Sequence, residues 1–221
     1  MTSIIDQAHS TRTRVVLTVQ SFAWNSSGRT RQQALLSSWT ARDRLAGQIA
    51  GAIRDRGADG VNLDFEPLVS GMEGQFVALI KQIRTKLDSI SRGYQITFDT
   101  LGRIGNYPIE RAVASGADAM FVMGYDYRTA SSSPVGSVAP LTSGGYDIRD
   151  TISAYTSRVS PSKVILGVPY YGRAWSTDTN LVHARNISGT RYGASASVTY
   201  VNALPYFSAH GKQYDTTEAV A

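Results

Sequence analysis

The feature that most constrains this chain is a repeated alternation of two hydrophobic periods. Short apolar runs rich in β-branched residues occupy residues 14–20, 59–66, 94–100, 119–125 and 164–169, and each reads as a buried strand. Between them the apolar residues recur at helical spacing: Leu45, Ile49 and Ile53; Phe76, Leu79, Ile80, Ile83 and Leu87; Ile148, Ile152, Tyr155 and Val159. A shorter helix carrying Ile109 to Val113 follows Pro108. Thr40 with Asp43, and Ser70 with Glu73, have the spacing of capping boxes, and Asp147 is placed to cap the helix it precedes. Gly57, Gly93, Gly116 and Pro161 mark the stops. Strands separated by such helices predict a parallel α/β fold with right-handed crossovers. A closed barrel and an open sheet both satisfy the pattern.

After Trp175 the alternation ends. Residues 176–221 are polar and contain Gly and Tyr, with strand-like pieces such as Ser197-Val198-Thr199-Tyr200 and no expected helix-strand unit. They read as an insertion or extended loop following a domain over residues 1–175. Residues 129–145, rich in Ser, Pro and Gly, form a long loop of the kind that carries function or floats.

Composition narrows the chemistry. With 42% apolar residues in 221, the chain can bury a sizeable core as one compact unit. It has no cysteine, which excludes disulfides, thiolate metal sites and cysteine nucleophiles. Its three histidines, His9, His183 and His210, leave little material for a zinc site or a Ser-His-Asp triad and read as surface residues. The net charge of +5 is scattered without basic runs or interleaved aromatics, so no nucleic-acid partner is expected. No apolar run approaches the roughly 18 residues of a membrane span, and the first six residues lack the pattern of a targeting signal.

The second run, Asp59-Gly60-Val61-Asn62-Leu63-Asp64-Phe65-Glu66, is the informative one. Side chains alternate along a strand, so Val61, Leu63 and Phe65 share one face while Asn62, Asp64 and Glu66 share the other. In a parallel sheet covered on both sides, two carboxylates turned inward need a function. Further polar residues sit where strands end: Asp99, Tyr125 with Asp126, and Tyr170 with Tyr171. The carboxyl ends of parallel strands form the ligand face, so these separate segments are expected to converge. Two carboxylates two residues apart are close enough for one charge to raise the other's proton affinity, which suits a general acid.

The 59–66 segment resembles the D-G-x-D-x-D-x-E signature of glycoside hydrolase family 18, the chitinase-like hydrolases. Met123-Gly124-Tyr125-Asp126 is similar to the family's M-x-Y-D, and Gly167-Val168-Pro169-Tyr170-Tyr171-Gly172-Arg173 resembles its G-x-P-x-Y-G-R strand. The three segments occur in the family's order and cover roughly residues 14–175.

The resemblance implies an eight-stranded (β/α) TIM barrel. If the first run is the family's third strand, the first two strands and the eighth are missing, and the barrel is incomplete with exposed edges. It also implies retaining, substrate-assisted cleavage of β-linked N-acetylglucosamine polymers without metal or cofactor. Glu66 matches the acid/base and Asp64 the carboxylate that orients the substrate acetamido group. Tyr125 matches the tyrosine that bonds the acetamido carbonyl. Asp126, Asn62, Met123, Tyr171 and Arg173 match substrate-lining positions. Asn62 stands where many members have an aspartate, which removes one charge beside Asp64. The partner is then a polysaccharide or oligosaccharide such as chitin or peptidoglycan glycan, and the full-length protein is expected outside the cell or at the cell wall. The rival is a non-catalytic carbohydrate-binding relative, in which the acid glutamate is typically lost. Read from the residues alone, Asp99 favours neither site nor structure, and Tyr170, Tyr171 and Trp175 suit a sugar-stacking surface and a core equally.

Overall fold

The computed structural model describes residues 2–211 and 214–219. In chain order the first elements are α1 (Thr2–Ser10), β1 (Val16–Phe22), α2 (Ser26–Ser37), α3 (Trp39–Arg56), β2 (Gly60–Glu66), α4 (Glu73–Asp88) and β3 (Gln95–Leu101). There follow α5 (Ile109–Ala114), β4 (Ala119–Met123), α6 (Ile148–Thr156), β5 (Val164–Gly167), β6 (Tyr171–Ala174), β7 (Ala196–Thr199) and α7 (Tyr200–His210). The five strands expected from the apolar runs make one sheet in the order β1-β2-β3-β4-β5. Each intervening crossover returns the chain to the same end of the sheet, so successive strands lie side by side. β1 pairs with β2 in parallel from Val16 against Gly60 to Phe22 against Glu66, and β2 pairs with β3 from Gly60 against Gln95 to Leu63 against Phe98.

Where composition leads one to expect a single compact unit, the residues cluster into two. The first comprises residues up to Val122 with Thr156–Ile165. Its core is the apolar face of β2 against α4: Val61, Leu63 and Phe65 are fully buried, as are Phe76, Leu79, Ile80, Ile83 and Leu87. Phe76 bridges the layers, its ring 5.5 Å from that of Phe65 and 5.8 Å from that of Phe98. Arg84 of α4 binds Asp118 at 2.6 Å and the carbonyl of Tyr94 at 2.8 Å, tying the helix to the entrances of β4 and β3. Gly60 makes the close approach of β2 to β3 possible, since a Cβ there would lie 2.0 Å from the Gln95 carbonyl oxygen.

The second unit comprises Met123–Tyr155 and the residues from Leu166 onward. It contains α6, the antiparallel pair β6-β7 with Tyr171 against Thr199, and α7. Asp147 caps α6 as expected, its Oδ1 accepting from the backbone N–H groups of Arg149 and Asp150.

Several boundaries differ from the sequence reading. The helical stretch before Gly57 restarts at Ser38, two residues ahead of the Thr40 box, with Ser38 Oγ accepting from the Ala41 N–H at 3.2 Å. Ser38 therefore does the capping expected of Thr40, because it is the residue with extended backbone. At α4 the N-cap is Met72, without a side-chain bond, while Glu73 turns back to accept from the Gly71 N–H. β4 stops at Met123 and β5 at Gly167, each two residues early; Asp126 takes a left-handed φ of 59° that turns the chain, and Pro169 has no N–H to donate. α1 and α7 were not legible: α1 buries only Ile5 fully, and α7 carries Pro205 in its interior.

Candidate active site

In the first unit, β2 presents Asn62, Asp64 and Glu66 on the face opposite its apolar residues. The neighbouring strands supply partners at matching positions, because Thr18 and Gln20 of β1 lie against Asn62 and Asp64, and Thr97 of β3 lies against Asn62. A directed chain of bonds results. Thr97 Oγ1 donates to Asn62 Oδ1 at 2.8 Å, and Asn62 Nδ2 donates to Asp99 Oδ2 at 2.9 Å. From the other side Gln20 Nε2 donates to Asp64 Oδ2 at 3.2 Å. Asp64 is 7% exposed and its Oδ1 is buried without any of these donors. The Asp99 carboxyl lies within hydrogen-bonding reach of Asp64, and its pKa is pushed up to about 7. Burial is the main cause; the Asn62 amide opposes it, and the charge and hydrogen bond of Asp64 add to it.

Glu66 ends β2, half-buried, and its carbonyl accepts from the Ala23 N–H at 2.6 Å. Asp59, first residue of the motif, is structural: it accepts from the Val15 N–H at 2.6 Å and pairs with His9 at 2.9 Å. Beside the stack is a cavity of about 360 Å³ lined by Asn62, Thr97, Asp99, Phe121 and Ile165 among others.

The second unit brings together another group. Tyr171 donates its hydroxyl to Asp126 Oδ1 at 2.6 Å, and its ring stands edge-on to Tyr125 at 6.2 Å. Met123 is buried at the end of β4. Tyr171 and Arg173 lie on β6, and with Gly172, Trp175, His183 and Glu218 they line a cavity of about 480 Å³. Arg173 Nε is buried there without a hydrogen-bond partner. Trp175 Nε1 donates to the Thr129 carbonyl at 3.2 Å. Tyr170 is 93% exposed, so of the two roles open to it the core is excluded.

Among the described residues, one cluster has the makings of a cation site: His183, Asp215 and Glu218. His183 Nε2 lies 2.7 Å from Asp215 Oδ2 and 3.7 Å from Glu218 Oε1, so this histidine faces two buried carboxylates and is not the plain surface residue expected. The Arg128 guanidinium already binds Glu218 Oε1 at 3.4 Å and supplies positive charge to the cluster. His210 contributes nothing that can be described, since its side chain is outside the described residues.

Sequence reading missed Gln20 and Thr97. The signal was available in their parity: each is a polar residue at the period-two position that registers with Asn62 or Asp64.

Comparison with known proteins agrees with the motif. The candidate sporulation-specific glycosylase YdhD of Bacillus subtilis is 34% identical over 147 residues, covering 64% of this chain and 33% of that protein. Chitinase 1 of Aphanocladium album is 26% identical over 222 residues, covering 93% of this chain and 51% of that protein. The chain thus spans between a third and about half the length of these curated relatives. The crystal structure of a family 18 chitinase from Cycas revoluta in complex with (GlcNAc)3 superposes with a TM-score of 0.83 at 19% identity, covering 98% of this chain and 68% of that one, which is a likeness of fold. No helix among the described residues is long and apolar enough to cross a membrane. The family model for glycosyl hydrolases family 18 matches residues 4–220, and the chain belongs to that family.

Proposed function

We propose that this chain carries the catalytic carboxylates of a retaining glycosidase that cleaves β-1,4-linked N-acetylglucosamine glycans. The observation that carries this reading is the stack on β2, in which Asp64, bonded by Gln20 and with Asp99 nearby, lies two residues before a half-buried Glu66 at the strand's carboxyl end. Glu66 protonates the leaving glycosidic oxygen while the substrate's acetamido oxygen attacks the anomeric carbon. The resulting oxazolinium carries positive charge, and Asp64 stabilises and orients it. Glu66 then takes a proton from water, which opens the ring with retention. Tyr125 bonds the acetamido carbonyl, and Asp126, Asn62, Met123, Tyr171 and Arg173 line the glycan path. The five-stranded sheet is read as part of an eight-stranded (β/α) barrel, with residues 176–221 as an insertion after its seventh strand. Chitin, chito-oligosaccharides and peptidoglycan glycan are the candidate substrates, and an extracellular or cell-wall setting follows from them.

The non-catalytic carbohydrate-binding reading is disfavoured by the retained Glu66. The test is turnover of an N-acetylglucosamine oligomer by the full-length protein. Glu66→Gln abolishes cleavage while leaving oligomer binding in place; turnover equal to wild type in that variant overturns the assignment.

A further inference from the structure

Asp64 is the one member of the stack whose bonding is incomplete. Its Oδ2 is served by Gln20, while its Oδ1 is buried with no donor from an amide, hydroxyl or backbone N–H. An unserved buried carboxylate oxygen forfeits its hydration without replacement, so a donor is required. Asp99 is the group in reach. Its other side is committed, because Thr97 orients the Asn62 amide so that Nδ2, and not Oδ1, faces Asp99 Oδ2. Asn62 can therefore only donate to Asp99, and Asp99 can complete the chain only by donating onward to Asp64.

We infer that Asp99 is a positioning residue for Asp64: the hydrogen of its carboxyl group occupies the buried Asp64 Oδ1, and the Thr97-Asn62 pair holds Asp99 in place to supply it. The bonds then run Thr97 to Asn62 to Asp99 to Asp64, with Gln20 closing the far side, and every acceptor is satisfied. Asn62 is part of this arrangement. An aspartate at position 62 would need a proton of its own to donate to Asp99, whereas the amide donates at every pH. Asp64 thus takes its carboxyl partner from the adjacent strand β3.

The surroundings keep the proton in the pair. Apart from Asp64, the groups that act on Asp99 or line its cavity are neutral: Asn62 from β2, Gln95 and Thr97 from its own strand, and Val16, Thr18, Phe121 and Ile165. No cation lines that cavity among the described residues. Two carboxylates sharing such a site cannot both ionise readily, which agrees with the Asp99 pKa near 7. Asp64 is held toward Asp99, and a substrate acetamido group competes with Asp99 for it.

This role rests on the proposed hydrolysis for its kinetic consequence but not for its geometry, and the experiment separates the two. Asp99→Asn preserves the pattern, since its amide oxygen accepts from Asn62 and its NH2 donates to Asp64. Asp99→Ala removes it. With an N-acetylglucosamine oligomer as probe, Asp99→Asn is expected to keep kcat within about threefold of wild type below pH 7 and to lose the limb of the pH profile near pH 7. Asp99→Ala is expected to lose about tenfold or more in kcat with little change in KM. Equal activity of the Asn and Ala variants, both folded by circular dichroism, overturns the inference. Carboxyl carbon NMR titration reads the pair without turnover: a step near pH 7 that disappears in Asp99→Asn and moves down in Asp64→Asn upholds it even if no oligomer is cleaved. Absence of that step in the wild-type protein overturns it even if the oligomer is cleaved.

Discussion

The buried hydroxyl of Tyr107 donates to the backbone carbonyl of Phe65 at 2.7 Å, between Asp64 and Glu66, the two carboxylates of the proposed site. β2 pairs with β3 only as far as Leu63 against Phe98, so the last residues of β2 lack that ladder on one side. Tyr107 supplies the missing donor from the segment before α5. Tyr107→Phe removes the donor and leaves the carbonyl unserved. The expected effect is a loss of about 1–2 kcal/mol in urea unfolding, together with a several-fold fall in turnover because Asp64 and Glu66 flank the released carbonyl. Unchanged values of both would show that the bond neither stabilises nor positions the strand end.

Gln32 acts at the other side of the same strand end. It is fully buried on α2; its Nε2 donates to the carbonyls of Ser21 at 2.9 Å and Pro67 at 3.3 Å, and its Oε1 accepts from the Val69 N–H at 2.8 Å. One side chain thus joins the end of β1 to the turn after Glu66. Gln32→Leu matches the volume but leaves three backbone groups without partners, and a loss of about 2–4 kcal/mol is expected. A denaturation midpoint close to that of wild type would mean that water replaces the amide.

Gly60 can be tested by adding one methyl group. A Cβ at this position would sit 2.0 Å from the Gln95 carbonyl oxygen and 2.7 Å from its carbon, both rigid backbone. Gly60→Ala must therefore push β3 away from β2, at a cost of about 1–3 kcal/mol or more. Since Asn62 reaches Asp99 across this strand pair, the step near pH 7 in the carboxyl titration is expected to shift as well. Gly47→Ala, where nothing lies within 4 Å of the added carbon, is the control and should be neutral or slightly stabilising. Equal stability of the two variants would contradict the close-approach argument.

These cases show where the sequence was legible. The strands were readable because short apolar runs rich in β-branched residues alternate with longer stripes at helical spacing, and the site strand was readable because Val61, Leu63 and Phe65 alternate with Asn62, Asp64 and Glu66. Tyr107 and Gln32 were not, because their role depends on carbonyls 42 and 11 or more residues away, and neither carries a local pattern. Asp99 was visible as a polar residue at a strand end, but its relation to Asp64 needed the register that sets β3 beside β2. Tyr170 and Tyr171 separated for a similar reason: one side chain points to solvent and the next to Asp126, a difference set by the turn into β6.

Tyr171 gives a spectroscopic prediction. Burial first, and then the Asp126 carboxylate that accepts its hydroxyl at 2.6 Å, raise its pKa well above the ordinary phenol value. In a spectrophotometric titration Tyr171 should stay protonated through the ordinary phenol range around pH 10. Tyr171→Phe is then expected to leave the absorbance change in that range unaltered, and to raise KM for the oligomer several-fold by freeing Asp126 to turn. A loss of one tyrosine's worth of signal in that range would contradict the hydrogen bond to Asp126.

Asp147 gives a prediction for stability against pH. Its carboxyl is buried, which alone would raise its pKa, but the N–H groups of Asp150, Ser143 and Arg149 favour the charged form and hold it below the usual carboxylate range. A lowered native pKa means that the unfolded chain binds the proton first. The stabilisation is therefore complete above the unfolded value of about 3.9 and is lost as pH falls below it toward the native value. Asp147→Ala should cost about 1–2 kcal/mol near pH 7 through loss of the α6 cap. The gap between wild type and variant should narrow as pH is lowered from about 4, because the wild-type carboxylate is being protonated there. Urea midpoints for the two proteins at a series of pH values read this directly, and a gap that stays constant from pH 7 to the acid limit would show that the cap works without its charge.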